Sequence, residues 1–183
     1  MKRNVLIFGL VLGTVLASHG IYMMSVVYNN PEFESNDVVG YAAMIVVFSL
    51  IYVGVRNYRN AELRGVISLG KAFKTGAWIA LLGSTMYVVL GLTYYYVFVP
   101  DFLDKYTLHV LSQATRNGAT AAELAAKTEE MNQFKEMYRN PVFAVLISYA
   151  EVLPIGLVVA FISSLILKKK PQGKKISVAN HLK

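Results

Sequence analysis

Four stretches of the chain, 5–27, 38–55, 76–99 and 142–167, are apolar almost without interruption, and only the last holds a formal charge, at Glu151. A helix needs roughly 20 apolar residues to cross a hydrocarbon core about 30 Å thick, so each stretch predicts a membrane-spanning helix. Hydrocarbon offers no partners to backbone amides and carbonyls, which makes helix the required conformation. The first stretch also carries features of a signal peptide: Lys2 and Arg3, an apolar run, and the small-residue pattern Val15-Leu16-Ala17. A signal's apolar region is typically 7 to 15 residues long, whereas here Ile21-Tyr22-Met23-Met24 and Val26-Val27 carry the run onward, which favours a span. Cleavage would instead leave three spans.

The connection 100–141 is too long for a simple turn, and its pattern is helical. Phe102, Leu103, Tyr106, Val110 and Leu111 recur at three- and four-residue spacing, and Asn117-Gly118 supplies a stop. Thr120-Ala121-Ala122-Glu123 has the form of a capping box opening a second helix through Tyr138, and Asn140-Pro141 restarts the chain into the fourth span. The segment 101–139 therefore predicts a helical hairpin, read either as a solvated cap that spaces two spans or as a partner-binding surface. On the other side, 65–74 mixes apolar and basic residues and suits a short helix in the membrane interface, with Lys71 and Lys74 reaching lipid phosphates. The segment 168–183 is a basic tail whose Lys168, Lys169 and Lys170 follow the last span directly, each able to attract anionic lipid by about 1 kcal/mol. The predicted fold is all-α and integral to the membrane, one domain over 1–183, with four spans in a bundle and a hairpin between the third and fourth.

Composition agrees. Of the 183 residues 55% are hydrophobic and 16% charged, with no cysteine; mean hydropathy is +0.46. Soluble domains carry about 25% charge. The missing cysteines exclude disulfides, thiolate metal sites and a cysteine nucleophile. The net charge of +7 is an orientation signal. Thirteen of the 18 Lys and Arg lie at the N-terminus, in the linker 56–74 and after residue 167, where the only acid is Glu62. The other two connections hold 5 basic and 9 acidic residues. By the positive-inside rule both termini are cytoplasmic. A nucleic-acid-binding protein would gather such charge on a soluble face with stacking aromatics, and no segment offers one.

Several separated segments match a known pattern in order: Phe48-Ser49-Leu50-Ile51-Tyr52-Val53-Gly54-Val55-Arg56-Asn57-Tyr58-Arg59, Ser68-Leu69-Gly70-Lys71-Ala72-Phe73-Lys74, Pro100-Asp101-Phe102, Met137-Tyr138-Arg139-Asn140-Pro141 and Glu151-Val152-Leu153-Pro154-Ile155-Gly156. On these residues the chain resembles a bacterial membrane family known as domain of unknown function 4199 (DUF4199). The resemblance implies a four-span bacterial inner-membrane protein and carries over no activity, cofactor or site residue.

Glu151 is the first candidate for chemistry, because a charge near the bilayer centre costs about 2.5–3.5 kcal/mol on insertion scales. It lies about 14 Å from the outer boundary of its span, and His19 about 12 Å, by 1.5 Å per residue. Ser49 and Tyr87 fall at roughly 17 and 18 Å, so all four are candidates for one polar layer. Glu151 reads as a protonated strut between helices, as a proton- or cation-binding carboxylate in a transport path, or as a carboxylate satisfied by a partner subunit. Pro154 frees the carbonyl of Ala150 beside it.

Small residues recur every fourth position as Gly9, Gly13 and Ala17, as Gly76, Ala80 and Ser84, and as Gly156, Ala160 and Ser164. Such seams let helices approach closely. On a helical wheel Glu151 sits about 140° from Gly156 and about 180° from Ala160. Either Glu151 points into the bundle and the seam meets another subunit, making a homo-oligomer or a complex with a membrane partner, or the seam is internal and Glu151 needs a partner outside.

Tyr94-Tyr95-Tyr96, Phe98, Tyr22, Tyr28 and Trp78 suit the membrane interfaces. His109 and His181 stand alone in soluble segments, without metal-ligand spacing, and no phosphate loop or nucleophile motif occurs. No cofactor, catalytic set or metal is expected. The reading that follows is a non-catalytic accessory or interaction protein of the cell envelope. Its alternative is a small proton- or ion-coupled transporter using Glu151, with His19 and Tyr87 as relay or hydrogen-bond partners.

Overall fold

The computed structural model describes residues 1–30, 33 and 37–169. The expected basic tail beyond residue 169, including Lys170 and His181, lies outside them. The described residues form seven helices: α1 (Lys2–Asn29), α2 (Asp37–Phe48), α3 (Leu50–Glu62), α4 (Leu69–Phe98), α5 (Phe102–Arg116), α6 (Ala121–Arg139) and α7 (Pro141–Leu167). Four are long and apolar enough to cross a membrane: α1, Val38–Glu62 across α2 and α3, α4, and α7. The four predicted spans are thus present as helices.

Two boundaries differ from expectation. The second span is broken at Ser49 and runs on to Glu62. The Ser49 hydroxyl donates to the Val46 carbonyl at 2.6 Å, a local bond of the kind that competes with the helical ladder, while Ser49 itself keeps helical dihedrals (φ −59°, ψ −18°). The interfacial segment 65–74 is not a separate helix. Arg64 and Gly65 take positive φ (52° and 83°) and reverse the chain. Ser68 then caps α4, its hydroxyl accepting from the Lys71 amide at 3.4 Å. No breaker separates Leu69 from the apolar run beyond Gly76, so the cap starts one uninterrupted helix. Lys71 and Lys74 are exposed on its first turns.

The helix pair α5 and α6 forms where its signals predict. At the end of α5, Gly118 (φ 80°) allows the Gly118 and Ala119 amides to reach the carbonyls of Thr115 and Ala114, each at 3.0 Å. These are the two bonds of a Schellman motif. The capping box is complete: Glu123 Oε2 accepts from the Thr120 amide at 2.7 Å and from its hydroxyl at 2.8 Å, and the Thr120 hydroxyl accepts from the Glu123 amide at 3.3 Å. These bonds hold the Glu123 carboxyl below its ordinary value, the Thr120 backbone bond contributing most. A depressed carboxyl contributes stability that is present above its unfolded pKa and lost as pH falls through the folded one. Protection of the first α6 amides against hydrogen exchange should therefore fall on acidification below about pH 4, near where an unfolded glutamate titrates. Thr120→Val, which removes the hydroxyl and keeps the backbone amide, should move the Glu123 titration, followed by NMR, only part of the way back toward the ordinary carboxylate range; an unmoved titration would show that the hydroxyl does not contribute to it.

Packing explains the small-residue seams. Helix α4 lies between α1 and α7, and α3 packs against all three. A Cβ added at Gly13 would sit 2.6 Å from Met86 Cβ, and one at Gly76 2.9 Å from Ala160 Cβ. The α1 seam faces α4, and the α7 seam faces α4 and the Phe48 ring of α2, with Gly9, Gly13, Ala17, Gly76, Ala80, Ser84, Gly156, Ala160 and Ser164 all buried. They are filled from within the chain, so an oligomer must use another surface. The core around them is Leu12, Phe48, Ile51, Val55, Ile79 and Val152.

The bundle closes firmly at the end that carries the N-terminus. The Met1 amine pairs with Glu62, and Asn4 Nδ2 donates to the Gly54 carbonyl at 2.8 Å. Arg59 Nη1 donates to the Leu167 carbonyl at 3.3 Å. Ile67 and Lys169 exchange both backbone bonds, at 3.2 and 2.9 Å, and so tie the α3–α4 connection to the end of α7. The opposite end is looser: across residues 38–48 of α2 only Phe48 is buried.

Candidate functional site

Glu151 stands about 15 Å along α7 from Pro141, at 1.5 Å per residue. Asn140 and Pro141 set that helix, the Asn140 side chain accepting from the Val142 amide at 3.0 Å with Pro141 in the first turn. Glu151 is exposed, and among the described residues it makes no hydrogen bond or salt bridge. The seam read from the wheel is internal, and Glu151 lies off it. Pro154 does not interrupt α7.

Two phenols lie within electrostatic reach of the carboxyl. Tyr87 of α4 packs on α1, where a Cβ added at Gly20 would come 2.8 Å from its ring, and it senses Glu151. Tyr138, at the end of α6, senses it as well. Burial pushes the Tyr138 phenol up from its ordinary value, hydrogen bonding to Ser148 pulls it back, and Glu151 and Tyr96 push it further up. Ser148 is buried one turn before Glu151 on α7. Rings fix Tyr138 in place: Tyr95 packs edge-on at 5.7 Å between centroids and Phe134 at 4.7 Å, while the Tyr96 hydroxyl donates to the Tyr138 carbonyl at 2.8 Å.

The four candidates for one polar layer are thus separated. Of the four, only Glu151 and Tyr87 stand near enough for the carboxylate charge to be felt at the phenol. His19 is half-buried on α1 next to Gly20, and the groups that act on Glu151 or Tyr87 do not include it. Ser49 is exposed at the break between α2 and α3, its hydroxyl bound to its own helix. Sequence reasoning missed Tyr138 and Ser148. The signal for Ser148 was present, since it lies three residues before Glu151 on a neighbouring face; that for Tyr138 was not, because it depends on how α6 returns to α7.

Chemically this is one carboxyl with two nearby phenols and a hydroxyl, a set able to hold or pass a proton or to accept from a donor. Among the described residues no three His, Asp or Glu gather to hold a metal ion. His109, expected alone in a soluble segment, is buried on α5. Lys71, Lys74, Lys168 and Lys169 are exposed at the end carrying the N-terminus, where the Ile67–Lys169 bridge brings the start of α4 and the end of α7 together.

No curated protein and no solved structure matches the chain. Residues 6–169 match the family model described as protein of unknown function DUF4199. A match over that span, on a chain whose described residues hold four helices apolar and long enough to cross a membrane, makes this protein a member of the DUF4199 family.

Proposed function

We propose that the chain is a multi-pass protein of the bacterial inner membrane, with cytoplasmic termini and an extracytoplasmic α5–α6 hairpin, and that it acts as a non-catalytic accessory subunit that binds a partner in the envelope. The charge asymmetry supports the orientation, with Lys71, Lys74, Lys168, Lys169 and Lys170 on the side of lipid phosphates. The exposure of Glu151 carries the accessory reading. It is a carboxyl at membrane depth that takes no hydrogen bond from its own described chain, while the seams are already occupied inside the bundle. A bare carboxylate facing hydrocarbon is expensive, so the surface around it is suited to a partner. Photo-crosslinking in native membranes from Val158, exposed on the same side of α7 as Glu151, should capture a protein, and Glu151→Gln should reduce that yield several-fold. A yield equal to that from Leu10, exposed on α1, would defeat the reading.

One observation favours a second reading, proton- or ion-coupled transport: Tyr87 and Tyr138 stand within reach of Glu151 and could relay protons to it. Proteoliposomes separate the two. A pH-dependent flux abolished by Glu151→Gln would overturn the accessory role, and the absence of flux in the native chain would remove the transporter.

A further inference from the structure

Glu151 belongs to a stripe on α7. At 100° per residue, Val158, Ile162 and Leu165 fall within about 40° of it, and all three are exposed. The stripe lies on the opposite side of the helix from Ala160, which packs on Gly76 of α4. Helix α2 meets α7 through Phe48 at Gly156, about 140° around α7 from Glu151. Residues 38–47 have no buried member, and a Cβ added at Gly40 would meet nothing within 4 Å. Ala42 and Ala43 follow after the exposed Tyr41, so small residues recur there on α2.

Charge decides what this face fits. Glu151 is the only formal charge in the four apolar stretches, and every Lys and Arg of the chain lies outside them. Its own helices therefore supply no cation at this depth. A second copy docked face to face would bring carboxyl toward carboxyl, which like-charge repulsion disfavours. A cationic side chain would instead be neutralised by Glu151 and would neutralise it, removing the penalty for both in hydrocarbon.

We propose that the exposed face of α7 around Glu151 receives a single transmembrane helix of a different protein, carrying one lysine or arginine at the depth of Glu151. The proposal rests on the accessory reading and names the partner's chemistry.

The probe is a synthetic polyleucine helix of membrane-spanning length with one central lysine, compared with the same helix without it. The full chain is reconstituted in zwitterionic vesicles, which offer no competing anionic lipid. The chain has no cysteine, so one introduced at Asn117, in the α5–α6 connection, takes the donor dye, and energy transfer to the labelled peptide reports association. The lysine helix should bind the native chain at least tenfold more tightly than the polyleucine helix. Glu151→Gln should erase that preference, and Glu151→Asp, which keeps the charge, should retain most of it. Equal binding of both helices to the native chain overturns the proposal, as does a lysine preference that survives in Glu151→Gln. Loss of the preference in both variants assigns it to the shape of the site and also overturns the proposal. Self-association that depends on Glu151 would assign the face to a second copy. Flux through Glu151 would defeat the accessory reading itself, whereas a face indifferent to lysine, with no flux, defeats only this partner chemistry.

Discussion

Gly76→Leu should abolish the stable bundle. A Cβ at this position would lie 2.9 Å from Ala160 Cβ, 3.1 Å from the Ile51 side chain and 3.3 Å from Ala160 Cα. The last of these is backbone, and it cannot turn aside as a long side chain does. Leucine adds three further carbons beyond the Cβ, so α4 and α7 would have to separate along the contact that holds most of the seam. Overpacking a close-packed interior costs about 1–3 kcal/mol when neighbours adjust, and here the adjustment must be a helix displacement, so a loss of about 3 kcal/mol or more is expected. Size-exclusion profiles of detergent-solubilised protein after a heating series should show the variant aggregating at far lower temperature than the native chain. Gly91→Leu is the control. It is the same change in the same helix, but a Cβ there meets nothing within 4 Å, and its melting should stay close to native. Leucine is the better helix former, so propensity alone would favour both variants; comparable losses in both would mean that close packing at Gly76 is not what holds the bundle.

That contrast marks what the sequence could disclose. In a soluble helix polarity separates the buried face from the exposed one, but here core and lipid are both apolar, and volume takes over the role of polarity. Gly76, Ala80 and Ser84, with their counterparts on α1 and α7, are therefore readable as contact faces. Which helix they contact is set by the fold, and the spacing alone left open whether the partner was internal or external. Local signals fared better, because their atoms are neighbours in the chain. The Thr120–Glu123 box and the Asn117-Gly118 stop lie where they were expected. The start of α4 at Leu69 was hidden by its mixed composition, although Ser68 was there to cap it. The break at Ser49 is accompanied by a single hydroxyl turning back to Val46. Of the candidate site, Glu151 and Tyr87 were legible because polar groups are rare at that depth. Tyr138 was not, since only the packing of α6 against α7 brings it near Glu151.

Phe48→Ala should release α2 while leaving α3 in place. Phe48 is fully buried, and its ring occupies the hollow at Gly156, where an added Cβ would come within 2.8 Å of it. Within residues 38–48 it is the only buried side chain, whereas α3 is held independently by Ile51, Val55 and Tyr58. Loss of a buried Phe in a water-soluble core costs about 3–5 kcal/mol. In a bilayer the ring gains little by leaving lipid, so the lost packing dominates and on the order of 2 kcal/mol is expected. That is enough to loosen a helix whose one fully buried side chain is Phe48, with Met44 and Val47 packing only partly against the core, but not to unfold the bundle. Spin labels on introduced cysteines at Val39 and Leu146, both exposed, report the α2–α7 distance, and a second pair at Val53 and Ile162 reports α3–α7. In Phe48→Ala the first distribution should broaden markedly and the second should stay narrow. Equal broadening of both pairs would show that Phe48 supports the whole bundle, and no broadening in either would show that the contacts of α2 with α1, with Met44 and Val47 on the core, suffice to hold it.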